Sequence, residues 1–587
     1  IMFLRKPVVI PLDSRYHYSV HPTNPEAFDL TDGDVVSVEL LTEPSPNTRP
    51  EGRITALVGK PDDPELPFKI TVHKHDIPLE FDPDTLAEAG RVAVPIPPEE
   101  AACREDFRGL PAVTIDGETA FDFDDAVNVR KNPDGTFTLW VHIADVSHYV
   151  RPGGALDREA YRRGTSVYFP DRAIPMLPDR LSSDVCSLRP EVDRLAFSAV
   201  LTLDGRTGQT RAARFAPSVI RSRARMTYTQ VAKILDGDAA LRRQYSALVP
   251  EFETMAELTR VLNNRRRARG AIDFDLPESE VRYDPDANVL GIFKSERTFA
   301  HRLIEEFMLA ANEAVAEHFA SRALPFIYRI HEPPDRLKVE EFAAVAARFG
   351  HRFDLDKEEF EPRDFQRVAD AFEDSPVGKY LSYLMLRSFK LAVYSERNAG
   401  HFGLAAKDYT HFTSPIRRYP DLVVHRLLRA ALAAPAPAAL PASPRRRGKG
   451  PRAAREEVAD AANLAEIASQ SSDREREAME AEREIMAWQK ALFMQGRIGE
   501  EFEGFVSGTK PNGFFVELNE FFLEGFVNLS ALEDDYYLFD EERQCFRGER
   551  TGRLFQLGTR LVVRVDRVDM DRYQIDFSVA KTLDGGP

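Results

Sequence analysis

The stretch Thr114-Ile-Asp-Gly-Glu-Thr-Ala-Phe-Asp-Phe-Asp-Asp-Ala-Val127 puts four aspartates, Asp116, Asp122, Asp124 and Asp125, within ten residues. Carboxylates this close repel one another, and the repulsion grows where water is scarce. A fold tolerates them if solvent screens them, if protons are taken up, or if a cation sits among the oxygens. A plain acidic surface loop would meet the first condition. The neighbours argue otherwise: apolar Val113, Ile115, Ala126, Val127 and Val129 surround the acids, and the strand-like run Phe137-Thr-Leu-Trp-Val-His-Ile-Ala144 follows. On period-2 geometry Asp122 and Asp124 share a strand face while Asp125 points away, so all four converge only if the backbone bends. Gly117 offers the freedom for one bend. Hard oxygen ligands of this kind suit Mg²⁺, with Mn²⁺ as a substitute.

Composition narrows the class. At 587 residues the chain is too long for one domain, and an apolar fraction of 43% supports real cores. No run of about 18 apolar residues occurs, so no transmembrane helix is expected. No secretory signal is visible. Three scattered cysteines, Cys103, Cys186 and Cys545, fit a reducing cytoplasm and exclude a zinc knuckle. The net charge of −17 argues against a surface that is basic throughout, yet nucleic-acid binding needs only local positive potential. Arg221-Ser-Arg-Ala-Arg225, Arg265-Arg-Arg-Ala-Arg269 and Arg445-Arg-Arg-Gly-Lys449 are basic clusters, each read alone as a solvated face. The chain begins at Ile1, not Met, which points to a longer polypeptide.

Hydrophobic patterning divides the chain. Residues 1–78 read as all-β, with five short strands that suit a small OB barrel. A Pro- and Glu-rich linker covers 79–107. The middle region mixes strands and helices. Helical spacing predicts a helix from Thr298 to Phe319, with Glu305 and Glu306 on its wet side, and another from Asp421 to Ala431. The Ala/Pro/Arg-biased stretch 433–455 reads as a disordered insertion, and a long charged helix is expected from Arg455 to Phe493. Residues 497–582 are again β-rich and suit a second OB-like barrel. Alternation there predicts that one of Phe514 and Phe515 is core and the other exposed, where it could stack bases.

A second constellation is His411-Phe-Thr-Ser-Pro-Ile-Arg-Arg-Tyr-Pro-Asp-Leu-Val-Val-His-Arg426. Ser/Thr beside paired arginines, at the mouth of a helix starting near Pro420, forms a candidate phosphate grip: the guanidinium fork suits phosphate, and helix N-terminal amides add to it. The alternative is a capping turn with two surface arginines. Acids plus phosphate grip imply metal-assisted phosphodiester hydrolysis, with Arg417 neutralising charge on the phosphoryl oxygens.

The Asp segment, Thr413-Ser-Pro-Ile-Arg-Arg-Tyr419, Arg163-Gly-Thr-Ser-Val-Tyr-Phe-Pro170, Ile174-Pro-Met-Leu-Pro178, Ser187-Leu-Arg-Pro190 and Ala481-Glu-Arg-Glu484 together resemble the ribonuclease II/ribonuclease R family. Pro325-Phe-Ile-Tyr-Arg-Ile-His331 looks nearer to its ribonuclease R side. The resemblance implies a multidomain α+β architecture: a cold-shock-like OB domain, a mixed α/β RNB catalytic domain over 108–495, and a C-terminal S1 barrel. It implies a processive, hydrolytic, Mg²⁺-dependent 3′-to-5′ exoribonuclease that releases nucleoside 5′-monophosphates. Carried over by motif, Asp116, Asp122, Asp124 and Asp125 are catalytic and metal-binding, Arg417 positions the scissile phosphate, and Glu482 is a further catalytic acid of underived role. Tyr168 and Phe274 would clamp the terminal base, and Glu305 would reach the ribose 2′-hydroxyl.

The implied partners are single-stranded RNA with a free 3′ end and duplex RNA with a 3′ overhang. A monomer in the cytoplasm, with no membrane, is implied too. The chain departs from the family in showing one cold-shock-like domain where two are usual, in lacking a basic tail, and in carrying the 433–455 insertion. Two rivals from other classes are an RNA-binding regulator on a dead nuclease scaffold and a metal-dependent DNA nuclease. The first would show a missing acid; the second would cut DNA as readily as RNA.

Overall fold

The computed structural model describes residues 2–3, 7–13, 15–45, 48–273, 278–284, 289–372, 375, 377–433, 463–541 and 543–583. Its largest core surrounds a five-stranded sheet in the order Glu105–Asp106, Thr210–Arg221, Asp193–Asp204, Thr136–Ala144, Asp125–Lys131. The pairings are antiparallel except the first. Every residue of Thr136–Ala144 is buried, so this strand is covered on both faces, as its nearly unbroken apolar run requires.

The helix Phe299–Ala320 packs against this sheet and matches the predicted span within a residue. Thr298 caps it, with His301 Nδ1 accepting the Thr298 N–H at 3.0 Å. Glu306 is not on a wet side: it is 3% exposed and paired with Arg266 at 2.8 Å. The helix predicted from Asp421 runs Tyr419–Ala433. The long charged helix is described over Leu464–Gln495; the predicted insertion and the first part of that helix lie outside the described residues.

The N-terminal region departs from the all-β reading. Its five strands form a two-stranded pair, Met2–Phe3 with Pro7–Val8, and a three-stranded sheet, His21–Pro22, Glu51–Gly59, Val35–Leu40. A Val9–Val20 bridge joins them. Pro7, Pro11, Pro22 and Pro25 lack the N–H that a continuous ladder needs, which keeps the first strands short. A helix, Leu66–Lys74, follows; Phe68 and Val72 bury against Ala478, Ala481 and Ile485 of the long helix. The expected linker holds two helices, Pro83–Val92 and Pro98–Ala102, each opened by a proline at its first position.

The C-terminal region is a closed barrel in the order Glu501–Lys510, Gly513–Leu518, Glu524–Asn528, Gln574–Thr582, Arg560–Asp569. Gly525 lets two strands approach, because a Cβ there would meet the Phe577 ring at 2.4 Å. Phe514 is fully buried, whereas Phe515 packs beside Phe526 on the outer face, ring centroids 5.0 Å apart, with Lys510 over it. A three-stranded meander, Tyr537–Asp540, Cys545–Gly548 and Leu554–Gln556, sits between two barrel strands in sequence.

Candidate active site

The four aspartates converge because a short parallel pairing and an irregular loop replace the regular strand. Thr114–Asp116 pairs with Arg225–Thr227, which fixes Asp116 opposite Thr227. Residues 117–124 then loop back to the strand that starts at Asp125. Ser187 clamps the loop: its Oγ accepts the Phe123 N–H at 3.0 Å and donates to the Phe121 carbonyl at 2.8 Å. Arg225 clamps the other end, with Nη2 donating to the carbonyls of Gly117 (2.5 Å) and Glu118 (2.9 Å). Gly117 itself uses no left-handed conformation and has open space at its Cβ position, so the bend does not depend on glycine there.

The arginine segment closes the site from the other side. Thr165 and Ser166 bond the Arg417 carbonyl at 3.1 and 2.9 Å, and the Tyr419 N–H donates to the Gly164 carbonyl at 2.9 Å. Gly164 ends the helix Ala155–Arg163 at φ 69°, and a Cβ there would strike Arg474 at 2.7 Å. These bonds bring Tyr168 and Arg417 together. The paired arginines then split. Arg418 is buried and forks onto Asp421 at 2.9 and 2.8 Å. Arg417 remains 42% exposed, with Nε 3.8 Å from Asp124 and Nη2 3.2 Å from the Ser414 Oγ. The backbone N–H groups of Ser414 and Ile416 are not free for phosphate. They donate to Asp421 and Asp124, at 2.8 and 2.9 Å.

A cavity of about 390 Å³ is lined by Asp116, Asp122, Asp124, Asp125, Tyr168, Glu305 and Arg417 together with Tyr228, Asn312, Tyr409 and His411. The Oδ2 atoms of Asp116, Asp124 and Asp125 are buried and have no hydrogen-bond partner. Burial first and Asp125 second push the Asp116 carboxyl up to about 8. Burial raises Asp125 to about 7 against the pull of Arg417, and burial holds Asp124 well above the carboxylate range. Arg417 stands near these acids without hydrogen-bonding their Oδ2 atoms, and three orphaned carboxylate oxygens on one wall fit a divalent cation. Among the described residues no three His, Cys, Asp or Glu side chains are arranged to hold an ion by themselves.

The remaining sequence-derived residues fall in different places. The Tyr168 hydroxyl donates to Asp122 at 3.2 Å, and the ring is 42% exposed. Glu482 does not line the cavity; its Oε1 accepts the Tyr168 N–H at 2.7 Å. Glu305 lines the cavity and is gripped by Arg297. Phe274 lies outside the described residues. Sequence reasoning missed Arg225, Tyr228, Asn312 and Tyr409, which share no local pattern with the acids; Tyr228 stacks on His301 with centroids 3.9 Å apart. Nor are the basic clusters solvated faces throughout. Arg225 holds the Asp loop, Arg266 is 5% exposed, and Arg269 pairs with Glu313. Arg445–Lys449 lies outside the described residues.

A carboxylate cavity shared with a partly exposed arginine and a half-exposed tyrosine, in a chain that also carries a closed OB-type barrel, fits a phosphodiesterase that works on nucleic acid. Comparison with known proteins narrows this. The RNB domain family matches residues 104–434, the cold shock domain family residues 9–82, and the S1 RNA binding domain family residues 496–580. Ribonuclease R of Aquifex aeolicus (strain VF5) is 40% identical over 576 residues, covering 98% of this chain and 79% of its own length. Ribonuclease R of Escherichia coli (strain K12) is 39% identical over 575 residues, covering 97% and 69%. The solved structure of Mycoplasma genitalium RNase R in complex with ribose methylated single-stranded RNA has a TM-score of 0.84 at 26% identity, covering 97% of this chain and 86% of that one. The chain belongs to the ribonuclease II/ribonuclease R family, on its ribonuclease R side, and is a hydrolytic 3′-to-5′ exoribonuclease acting on RNA. No described helix is long and apolar enough to cross a membrane.

Proposed function

We propose that the chain degrades single-stranded RNA processively from its 3′ end to nucleoside 5′-monophosphates, with Mg²⁺ held by Asp116, Asp122, Asp124 and Asp125. The observation that carries this reading is the set of three buried, unpartnered carboxylate oxygens on a cavity wall facing Arg417. The bound metal would polarise the phosphate, make hydroxide available and stabilise the leaving oxygen. Arg417, poised on the cavity by its contacts to Asp124 and Ser414, takes a phosphate oxygen and neutralises charge that develops in the transition state. The Tyr168 ring stacks on the terminal base, held by the Glu482 contact to its backbone and the Asp122 contact to its hydroxyl. Glu305 accepts a hydrogen bond from the 2′-hydroxyl, which DNA lacks.

Upstream nucleotides cross the outer barrel face around Phe515, Phe526 and Lys510, where stacking and phosphate attraction carry no sequence preference. Duplex RNA with a 3′ overhang is degraded as its strands part, since only a single 3′ strand presents its terminal base to Tyr168. The free thiols of Cys103, Cys186 and Cys545 fit the reducing cytoplasm.

The test uses a 5′-labelled single-stranded RNA with Mg²⁺ and compares the wild type with Asp124→Asn on a denaturing gel. Asparagine keeps the Oδ1 that accepts the Ile416 N–H and loses the charge. The wild type is expected to leave only a very short 5′-labelled product, and the variant to bind RNA without cutting it. Equal cutting by both proteins would remove Asp124 from the metal site. Binding without cutting by both would leave a binding module.

A further inference from the structure

Among the described residues, Glu305 is the one acid on the cavity wall that does not belong to the Asp loop. A glutamate side chain on a helix surface has several rotamers, and an acceptor that must meet one hydroxyl has to be held in one of them. Something holds it here. Arg297 Nη2 donates to Glu305 Oε2, and Arg297 Nη1 donates to Asp273 Oδ1 at 3.0 Å. Arg266 Nη2 stands 3.8 Å from Glu305 Oε1 and 3.4 Å from Asp273 Oδ2. The two arginines and two acids therefore alternate in charge around a small ring.

The ring has an inner and an outer half. Arg266 is committed to Glu306 at 2.8 Å, and that pair is buried, with side chains 5% and 3% exposed. It forms a fixed frame. Arg297, Asp273 and Glu305 are 29%, 29% and 34% exposed; Glu305 lines the acid cavity, and Arg297 lies between it and Asp273. Arg297 precedes the helix cap at Thr298 and folds back over two turns to meet Glu305, eight residues on. Asp273 lines a second cavity, of about 650 Å³, between the barrel, the hairpin Ser279–Tyr283/Val289–Lys294 and the helix Gly378–Ser388. Arg297 thus ties a wall of that cavity to the one acid that faces the substrate ribose. A guanidinium can hold two carboxylates at fixed angles through separate N–H groups; an ammonium acts as a point charge and cannot.

We propose that Arg297 is the positioning residue that fixes Glu305 as the acceptor for the substrate 2′-hydroxyl, with Asp273 anchoring Arg297 in turn. The inference rests on the ribose-reading role of Glu305 proposed above. Arg297 hydrogen-bonds Oε2, whereas Arg266 stands 3.8 Å from Oε1 without a hydrogen bond, so Oε1 is the oxygen more open to the substrate. Arg297 does not touch the substrate, so its effect appears in how well RNA is told from a deoxy analogue.

The experiment measures kcat/KM on two oligonucleotides that differ by a single 2′-deoxy substitution in the 3′-terminal nucleotides. Wild type is compared with Arg297→Lys, Asp273→Asn and Glu305→Gln, with thermal unfolding as a check of folding. Arg297→Lys is expected to shrink the RNA preference about 10- to 100-fold, through slower RNA cleavage and unchanged cleavage at the deoxy linkage. Asp273→Asn should shift it less, in the same direction. If Arg297→Lys slows both substrates equally while Glu305→Gln still shrinks the preference, Arg297 is a structural tie and the inference fails. If Glu305→Gln leaves the preference intact, the ribose-reading role fails and takes the inference with it.

Discussion

The catalytic domain holds two sets of aspartates, and they are opposites. Asp145, Asp157 and Asp421 hold the helix Tyr419–Ala433 and the arginine before it. Asp145 takes Arg104 (2.7 Å), Arg429 (2.5 Å) and Ser147 (2.7 Å). Asp157 takes Arg426 (2.6 Å), the Tyr419 hydroxyl (3.0 Å) and the Gly153 N–H (2.7 Å). Asp421 takes the Arg418 fork and the Ser414 N–H. Asp116, Asp124 and Asp125 each keep an unpartnered buried oxygen. The flanking arginines pull Asp145 far below the carboxylate range, while burial without such partners pushes Asp116, Asp124 and Asp125 up. Buried carboxylates that are satisfied build the scaffold; those left unsatisfied mark where a ligand must supply the missing charge.

The sharpest break of that comparison comes from neutralising one member of each set. Asp145→Ala strands Arg104 and Arg429 in the core and should cost about 3–5 kcal/mol of stability, read as a lower urea midpoint or as loss of folded protein. Asp124→Asn should abolish cleavage yet leave the metal-free protein at least as stable as wild type, because it removes a buried charge and keeps the Ile416 bond. A large stability loss in Asp124→Asn would place Asp124 among the anchors.

The adjacent arginines carry the same contrast at one residue's distance. Arg417→Ala should lower kcat by about 10²–10³-fold with little change in unfolding, as expected for loss of a transition-state charge partner. Arg418→Ala leaves Asp421 buried without its fork, so its main effect should be on stability, with activity falling only as the segment loosens. Single-turnover rates and denaturant curves on both variants separate these outcomes; matched losses in both would erase the division of labour.

That division was not legible in the sequence. The Asp run, the Ile416-Arg-Arg-Tyr419 run and Tyr168 stand in long local motifs, so their types and spacing point to chemistry before any fold is known. Both arginines line the cavity, and which of them stays uncommitted depends on Asp421, whose carboxylate claims Arg418. Arg225 and Tyr228 reach the site only through the Arg225–Thr227 pairing with Thr114–Asp116, a contact between segments over a hundred residues apart. Periodicity located the helix Phe299–Ala320 within a residue but put Glu306 on its wet side, because the helix is covered by a second element bearing Arg266. The helix Leu66–Lys74 was missed in a region otherwise patterned as short strands.

The two sets should also respond oppositely to pH. Asp116 and Asp125, with carboxyls near 8 and 7 when folded, bind protons in the folded state that the unfolded chain releases above about pH 4. The metal-free protein should therefore lose stability as pH rises from about 5 to 8, by up to about 1.4 kcal/mol per pH unit for each extra proton bound. Asp145 contributes stability that is present above about pH 4 and is lost only in stronger acid. Urea unfolding in EDTA across this range reads the slope. Adding Mg²⁺ at pH 8 should flatten it, and Asp116→Asn should flatten it without metal. A stability rising toward pH 8 in EDTA would contradict the unsatisfied state of these acids.

Asp122 stands between the two sets and gives the smallest effect. It lines the cavity with the other acids, yet its Oδ2 already accepts the Tyr168 hydroxyl at 3.2 Å. Tyr168→Phe removes that one bond and keeps the ring, so it should cost about 0.5–1.5 kcal/mol at most, a several-fold fall in kcat/KM. Tyr168→Ala removes the stacking face too and should cost about 1–3 kcal/mol, with a longer final product because the terminal base is no longer clamped. If the phenylalanine variant loses as much as the alanine variant, the hydroxyl contact matters more than the ring. Asp122 would then serve mainly to hold Tyr168, as the anchors hold their arginines, and the count of acids free for the metal would fall to three.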